Sequence, residues 1–219
     1  MALTQTQIEE LFRFCEKKLV RHYDLQVELV DHLASRIEEE LEANSNLTFE
    51  VALQNVYSGF GLFGFAHIVR EREQTLYKQH NKIYREEMKR FFTLPKALLT
   101  ISLVLLFFQL GRFIPLENRF IVFYGVLIPC FVIQAYYLNS LRKKLQKKLM
   151  LTQYLPATSL LSLFYLFDRI LFKESEVSNP IFFALLCVSV IITEGAFVTV
   201  TKRITQKARL LYPEAFKAA

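Results

Sequence analysis

Glu28 and His32, in the stretch "ELVDH", stand four residues apart, the spacing that puts two side chains on one face of a helix. Asp24 stands one turn before Glu28 on the same face. Carboxylates and an imidazole so placed can ligate a metal ion, with Asp24, Glu28 and His32 as the candidate ligands and His22 as a further one. The plainer reading is a local ion pair at the edge of a helical packing. A second constellation is "YSGFGLFGFA", in which Gly59, Gly61 and Gly64 have the spacing G-x-G-x-x-G of a loop that cradles a pyrophosphate. The third is a pair of polar residues inside apolar runs, Gln134 and Glu194, each costly in hydrocarbon and so a candidate for function.

The elements around these residues decide between the readings. Apolar residues recur at Ile8, Leu11, Phe12, Cys15 and Leu19, which predicts a helix over 5–20, with Thr6 and Glu9 as a capping box. A second helix carries Val27, Val30, Leu33, Ala34, Ile37 and Leu41 on one face and ends at "ANSN". Thr48 is a good cap for a third, short helix that turns Phe49, Ala52, Leu53, Val56 and Phe60 inward. From Phe65 the chain reads as one long polar helix, stopped near Pro95. No strand is expected anywhere, and a dinucleotide loop needs one before it and an acid about 20 residues after it. The glycines are therefore expected to turn a corner, with Gly59 or Gly61 at positive φ past a helix C-terminus. There is no H-E-x-x-H, G-x-S-x-G or Walker loop, so neither enzymatic activity nor a cofactor is expected.

Of the 219 residues 53% are hydrophobic, and the net charge is +6. Charge and apolarity are segregated: residues 1–96 hold 13 Lys/Arg and 15 Asp/Glu, and the rest hold 14 and 6. Four segments of the second part have the length and composition of spanning helices, at about 94–114, 119–141, 149–170 and 180–201. Sixteen Lys/Arg lie in the approach to the first span, the "RKKLQKK" connection and the tail, against four in the other two loops, so both termini are expected on the cytoplasmic side. Glu194 would lie about 12 Å inside the boundary set by Lys202, at 1.5 Å per residue, within reach of Gln134 or Gln153. The N-terminus "MALTQTQIEE" has no basic n-region or apolar stretch, so no cleavable signal peptide is expected. Cys15, Cys130 and Cys187 lack C-x-x-C spacing and read as reduced, buried residues.

The expected fold is all-α: a small bundle of three short helices over 1–64, a long basic connecting helix over 65–93, a four-helix transmembrane bundle over 94–201 and a basic tail over 202–219. The acidic run Glu38, Glu39, Glu40 and Glu42 argues against direct nucleic-acid binding by the N-terminal part. The basic stretch 78–96 suits anionic lipid headgroups. Val69, Leu76 and Ile83, beside Tyr77, Tyr84 and Phe91, form a heptad-like row that would suit helix pairing in a homo-oligomer.

Residues 28–61 resemble the HAAS domain, the helix-turn-helix-associated alpha-helical signalling module. Glu28, Leu29 and His32 match its Glu-Leu-x-x-His helix, and Thr48, Ala52, Phe60 and Gly61 match its second helix, although "NSNL" stands where that family usually has a glycine. The resemblance implies a cytoplasmic module fused to membrane spans and working with a PadR-like transcription factor. Glu28, Asp31, His32 and Gly61 are then the candidates for partner docking or for the module core. The expected function is signal transduction at the cytoplasmic membrane. A transporter or channel subunit using Glu194, and a non-catalytic oligomeric scaffold, are the alternatives.

Overall fold

A computed structural model describes residues 2–44, 46–153, 155 and 179–217. The described residues form helices: α1 Gln5–Lys17, α2 Tyr23–Ala43, α3 Phe49–Ser58, α4 Ala66–Arg90, α5 Lys96–Phe113, α6 Arg119–Lys144, α7 Met150–Gln153 and α8 Pro180–Leu211. They contain no strand, and their one isolated bridge pairs Leu145 with Phe216. The chain divides into two compact units, one of 1–77, 145–154 and 208–219, the other of 78–144 and 155–207.

In the first unit α2 packs against α1, α3 and α7. The capping box of α1 lies two residues earlier than expected: Thr4 accepts the Gln7 N–H, and Gln7 accepts the Thr4 N–H at 2.8 Å. Helix α1 ends in a paired-bond cap, Val20 N–H to Cys15 O and Leu19 N–H to Glu16 O, that requires a left-handed residue. That residue is Leu19, at φ +67° and 72% exposed, where glycine is usual. It lies outside the core face that the spacing gave it, and Val20 is buried in its stead. On α2 the core face is Leu25, Leu29, Val30, Leu33 and Ile37, while Val27 and Leu41 are half-buried. Helix α3 buries Phe49, Ala52, Leu53 and Val56 under the Thr48 cap, as the sequence reading has it.

The corner 59–65 is built as a turn. Gly59 is right-handed and caps α3, while Gly61 (φ +73°) and Gly64 (φ +50°) take the left-handed region. A Cβ on Gly61 would meet nothing, but one on Gly64 would strike the Tyr57 hydroxyl. Edge-to-face contacts of Phe65 with Phe14, Tyr57 and Phe60 pin the turn, with ring centroids 5.0–6.3 Å apart.

In the second unit, Phe107 of α5, Phe123 and Leu127 of α6, and Phe183, Cys187 and Val188 of α8 belong to one buried cluster. The three ranges Lys96–Phe113, Leu116–Lys144 and Pro180–Leu211 are long and apolar enough to cross a membrane. Helices α5 and α6 expose Leu, Ile, Val and Phe along most of their length, whereas α8 is largely buried. Gly111 lets α5 and α8 approach closely, since a Cβ there would lie 3.0 Å from Phe183. Of the expected span 149–170, the described residues cover only its start, and the remainder lies outside them. Within the same unit the later turns of α4 turn inward at His80, Tyr84, Glu87 and Phe91. Tyr84 donates to Thr193 O at 3.3 Å, and Glu87, 1% exposed, pairs with Arg203 at 2.7 Å and Arg90 at 3.1 Å. Two aromatic residues of the expected helix-pairing row are thus used inside the chain, while Tyr77 is 59% exposed.

Candidate functional site

The first turn of α2 grips the connection that follows α6. Asp24 is 3% exposed, and its two carboxylate oxygens each accept a backbone N–H at the start of α7, from Met150 and Leu151, both at 2.8 Å. Helix α7 has no cap of its own, because Lys148 and Leu149 precede it, so a side chain brought from 126 residues away does that work. A carboxylate facing free N–H groups at a helix start also meets the positive end of their dipoles. The Tyr23 N–H donates to Lys148 O at 2.8 Å, and His22 Nε2 is hydrogen-bonded to Gln153 Oε1. Lys147 Nζ lies 3.7 Å over the Tyr23 ring, which also stacks on Phe12. Three successive residues, His22, Tyr23 and Asp24, thus hold 147–153.

The tail completes the clasp. Ala215 O accepts the Gln146 N–H at 2.8 Å, next to the Leu145–Phe216 bridge, and Arg209 lies 5.4 Å from the Phe216 ring. Glu28 pairs with Arg72 of α4 at 2.6 Å, both half-exposed. Burial, and after it the charges of Glu28 and Asp24, hold the Tyr212 phenol above its usual value, while Arg72 acts the other way. Burial also pushes the Cys15 thiol in the module core up to about 12. The site gathers an N-terminal helix, a mid-chain connection and the tail through backbone bonds and one buried carboxylate.

The candidate ligands are not brought together as a metal site. Asp24 and Glu28 turn to α7 and Arg72, His32 is exposed, and among the described residues no three of His, Cys, Asp and Glu form a group able to hold a metal. Asp31 and His32 lie exposed on α2, and Gly61 at the exposed corner. Asp24 is the residue whose part the spacing missed. The signal was present, since "KKLM" offers α7 no capping side chain and some other acceptor has to supply one.

Glu194, 5% exposed, has no hydrogen-bond partner for either oxygen among the described residues. The expected bond to Gln134 or Gln153 is not made, and Gln153 is taken by His22. Its depth also differs from the count back from Lys202. Gly195 abuts Phe91, with a Cβ there 2.8 Å from the ring, and Lys96, the first residue of α5, has its Nζ 4.6 Å over the same ring. Glu194 therefore lies level with the start of α5, and α8 continues without a break to Leu211. Gln134 is buried in α6. Cys15 and Cys187 are buried and Cys130 is half-buried, all three as free thiols. No family model, no curated protein and no solved structure matches this chain.

Proposed function

We propose that the chain is a signal transducer of the cytoplasmic membrane, in which the clasped module passes changes in the spans to a cytosolic partner such as a PadR-like regulator. The carrying observation is that residues 145–153 and 208–217 belong to the same compact unit as the N-terminal helices. The chain enters and leaves α6 and α8 through those segments, so a shift of either helix acts on the module covalently. The exposed face with Asp31 and His32, together with the resemblance to the HAAS module, marks where a partner would dock.

The same observation supports the four-span reading by parity. Between Tyr77 and Leu145 the chain has two helices able to cross, α5 and α6, and returns to the unit it left. Between residues 154 and 208 it has α8 and the apolar stretch within 149–170, and it returns again. Two crossings in each interval put 1–77, 145–154 and 208–219 on one side, the side that the Lys/Arg bias makes cytoplasmic. Reporter fusions at Lys148 and at the tail should both read cytoplasmic, and a fusion near Glu117 should read external.

The function is tested by purifying the full-length chain from its own membranes after crosslinking. Recovery of a PadR-like regulator that is lost in an Asp31→Arg, His32→Ala double variant supports docking on α2. A double variant that recovers the regulator as well as the native chain removes it. The unpartnered Glu194 carboxyl favours a second reading, a small transporter or channel subunit, in which Glu194→Gln abolishes a proton- or solute-dependent flux. Unchanged flux in that variant ends this reading.

A further inference from the structure

Helix α6 presents a groove of about 660 Å³, lined by Phe131, Val132, Ala135 and Tyr136 and closed at one end by Asn139 and Arg142. Its lining residues run from apolar to polar in one direction. Phe131, Val132 and Tyr136 are 51%, 59% and 68% exposed, unusual for such side chains unless something apolar covers them. Arg142 is exposed and has no ion pair, and Asn139 has no side-chain hydrogen bond, among the described residues. The helix is uncharged from Phe120 to Leu141, so Arg142 stands where hydrocarbon gives way to headgroups. From Phe131 to Arg142 the helix rises about 16 Å, close to the hydrocarbon depth of one leaflet, about 15 Å.

We propose that this groove is a binding site for an anionic phospholipid of the inner leaflet, its acyl chain along Phe131–Tyr136 and its phosphate on Arg142 and Asn139. The occupant is argued from charge and length. A free cation and a free amide stand at the headgroup end of an apolar trough one leaflet long, and the basic run Lys143, Lys144, Lys147 and Lys148 that follows contains no acid. A guanidinium with its fork of donors matches phosphate oxygens. A second copy of α6 in the groove would set a like charge beside Arg142 and supply no acid to meet it. The proposal rests on α6 crossing a bilayer and deepens the signalling reading. Arg142 lies three residues before Leu145, where the clasped connection begins, so lipid occupancy would bear on the segment that the module holds.

The chain has no tryptophan, so Tyr136→Trp places a single reporter in the groove without changing its charge. The full-length variant is reconstituted in vesicles that mix phosphatidylcholine and phosphatidylglycerol, with bromine on the acyl chains of one or the other. Quenching should show about fivefold preference for the anionic lipid. Adding Arg142→Gln should remove that preference, whereas adding Lys143→Gln should leave it within about twofold. Equal quenching by the two lipids overturns the site while leaving α6 in the membrane. Equal loss in the Arg142 and Lys143 variants also overturns it, because that is diffuse attraction to the basic run. A reporter quenched by neither lipid overturns both the site and the spanning reading of α6.

Discussion

Asp24 in the first unit and Glu194 in the second are both nearly inaccessible carboxyl groups on long helices, and their surroundings treat them in opposite ways. Asp24 receives two oriented N–H groups at 2.8 Å, which replace the water it lost. Glu194 receives none from the described residues. A buried carboxylate with matched donors contributes to stability, while one without them costs stability and is kept for some other reason. The first unit thus spends its buried charge on joining segments distant in sequence. The second also has a paired buried acid, Glu87, which shows that its helices can satisfy a carboxylate. Glu194 is the exception within its own unit, and for that reason it is the stronger candidate for activity than Asp24.

Substitutions can break or sharpen this contrast. Asp24→Ala removes both acceptors and leaves two N–H groups without partners, so thermal unfolding should report a loss of about 3 kcal/mol, with new protease cleavage in 145–153. Asp24→Asn keeps one acceptor and should lose about half as much. Gly64→Ala meets the Tyr57 hydroxyl at a left-handed φ and should cost about 2 kcal/mol, whereas Gly61→Ala, with open space around it, should cost about 1 kcal/mol from backbone strain alone. Glu194→Gln should leave stability unchanged or raise it by about 1 kcal/mol. A loss as large as that of Asp24→Asn would erase the contrast between the two carboxyls. Leu19→Gly relieves a left-handed leucine and should raise stability by about 0.5–1 kcal/mol, read from the denaturant midpoint.

The smallest effect expected is a pH dependence. The Tyr212 phenol is held above its usual value in the folded chain, so the folded state keeps a proton that the unfolded state releases first. The contribution of this group is complete below the unfolded value of about 10 and declines as pH rises through the folded one. Tyr212→Phe should flatten the stability loss on that alkaline side and leave neutral pH unaffected.

The helices and the apolar spans were legible because periodicity and length are local properties. Thr48 and Pro95, and the refusal of the glycines as a nucleotide loop, followed from residues next to them in sequence. What local pattern could not supply was partner choice. The i,i+4 spacing of Glu28 and His32 is compatible with an ion pair, but Arg72, 44 residues away, takes Glu28 instead. The face containing Leu19 fits helical spacing, yet the cap that ends α1 places that side chain outward. Counting from Lys202 set the depth of Glu194 too far in, because α8 keeps helical geometry well past the first basic residue. The Asp24 contact was implied by the capless start of α7, but the identity of the donor of that cap is a long-range fact.

The tail in the clasp also orders biosynthesis. Residues 208–217 leave the ribosome after α8, so the unit begun by the first 77 residues stays incomplete until every apolar segment has been made. Until then the acceptor carbonyl of Ala215 is missing and the Gln146 N–H has no tail to meet. Completion of the module can therefore serve as a quality check, in which a chain whose last span failed to insert would expose an open, protease-sensitive 145–153 segment.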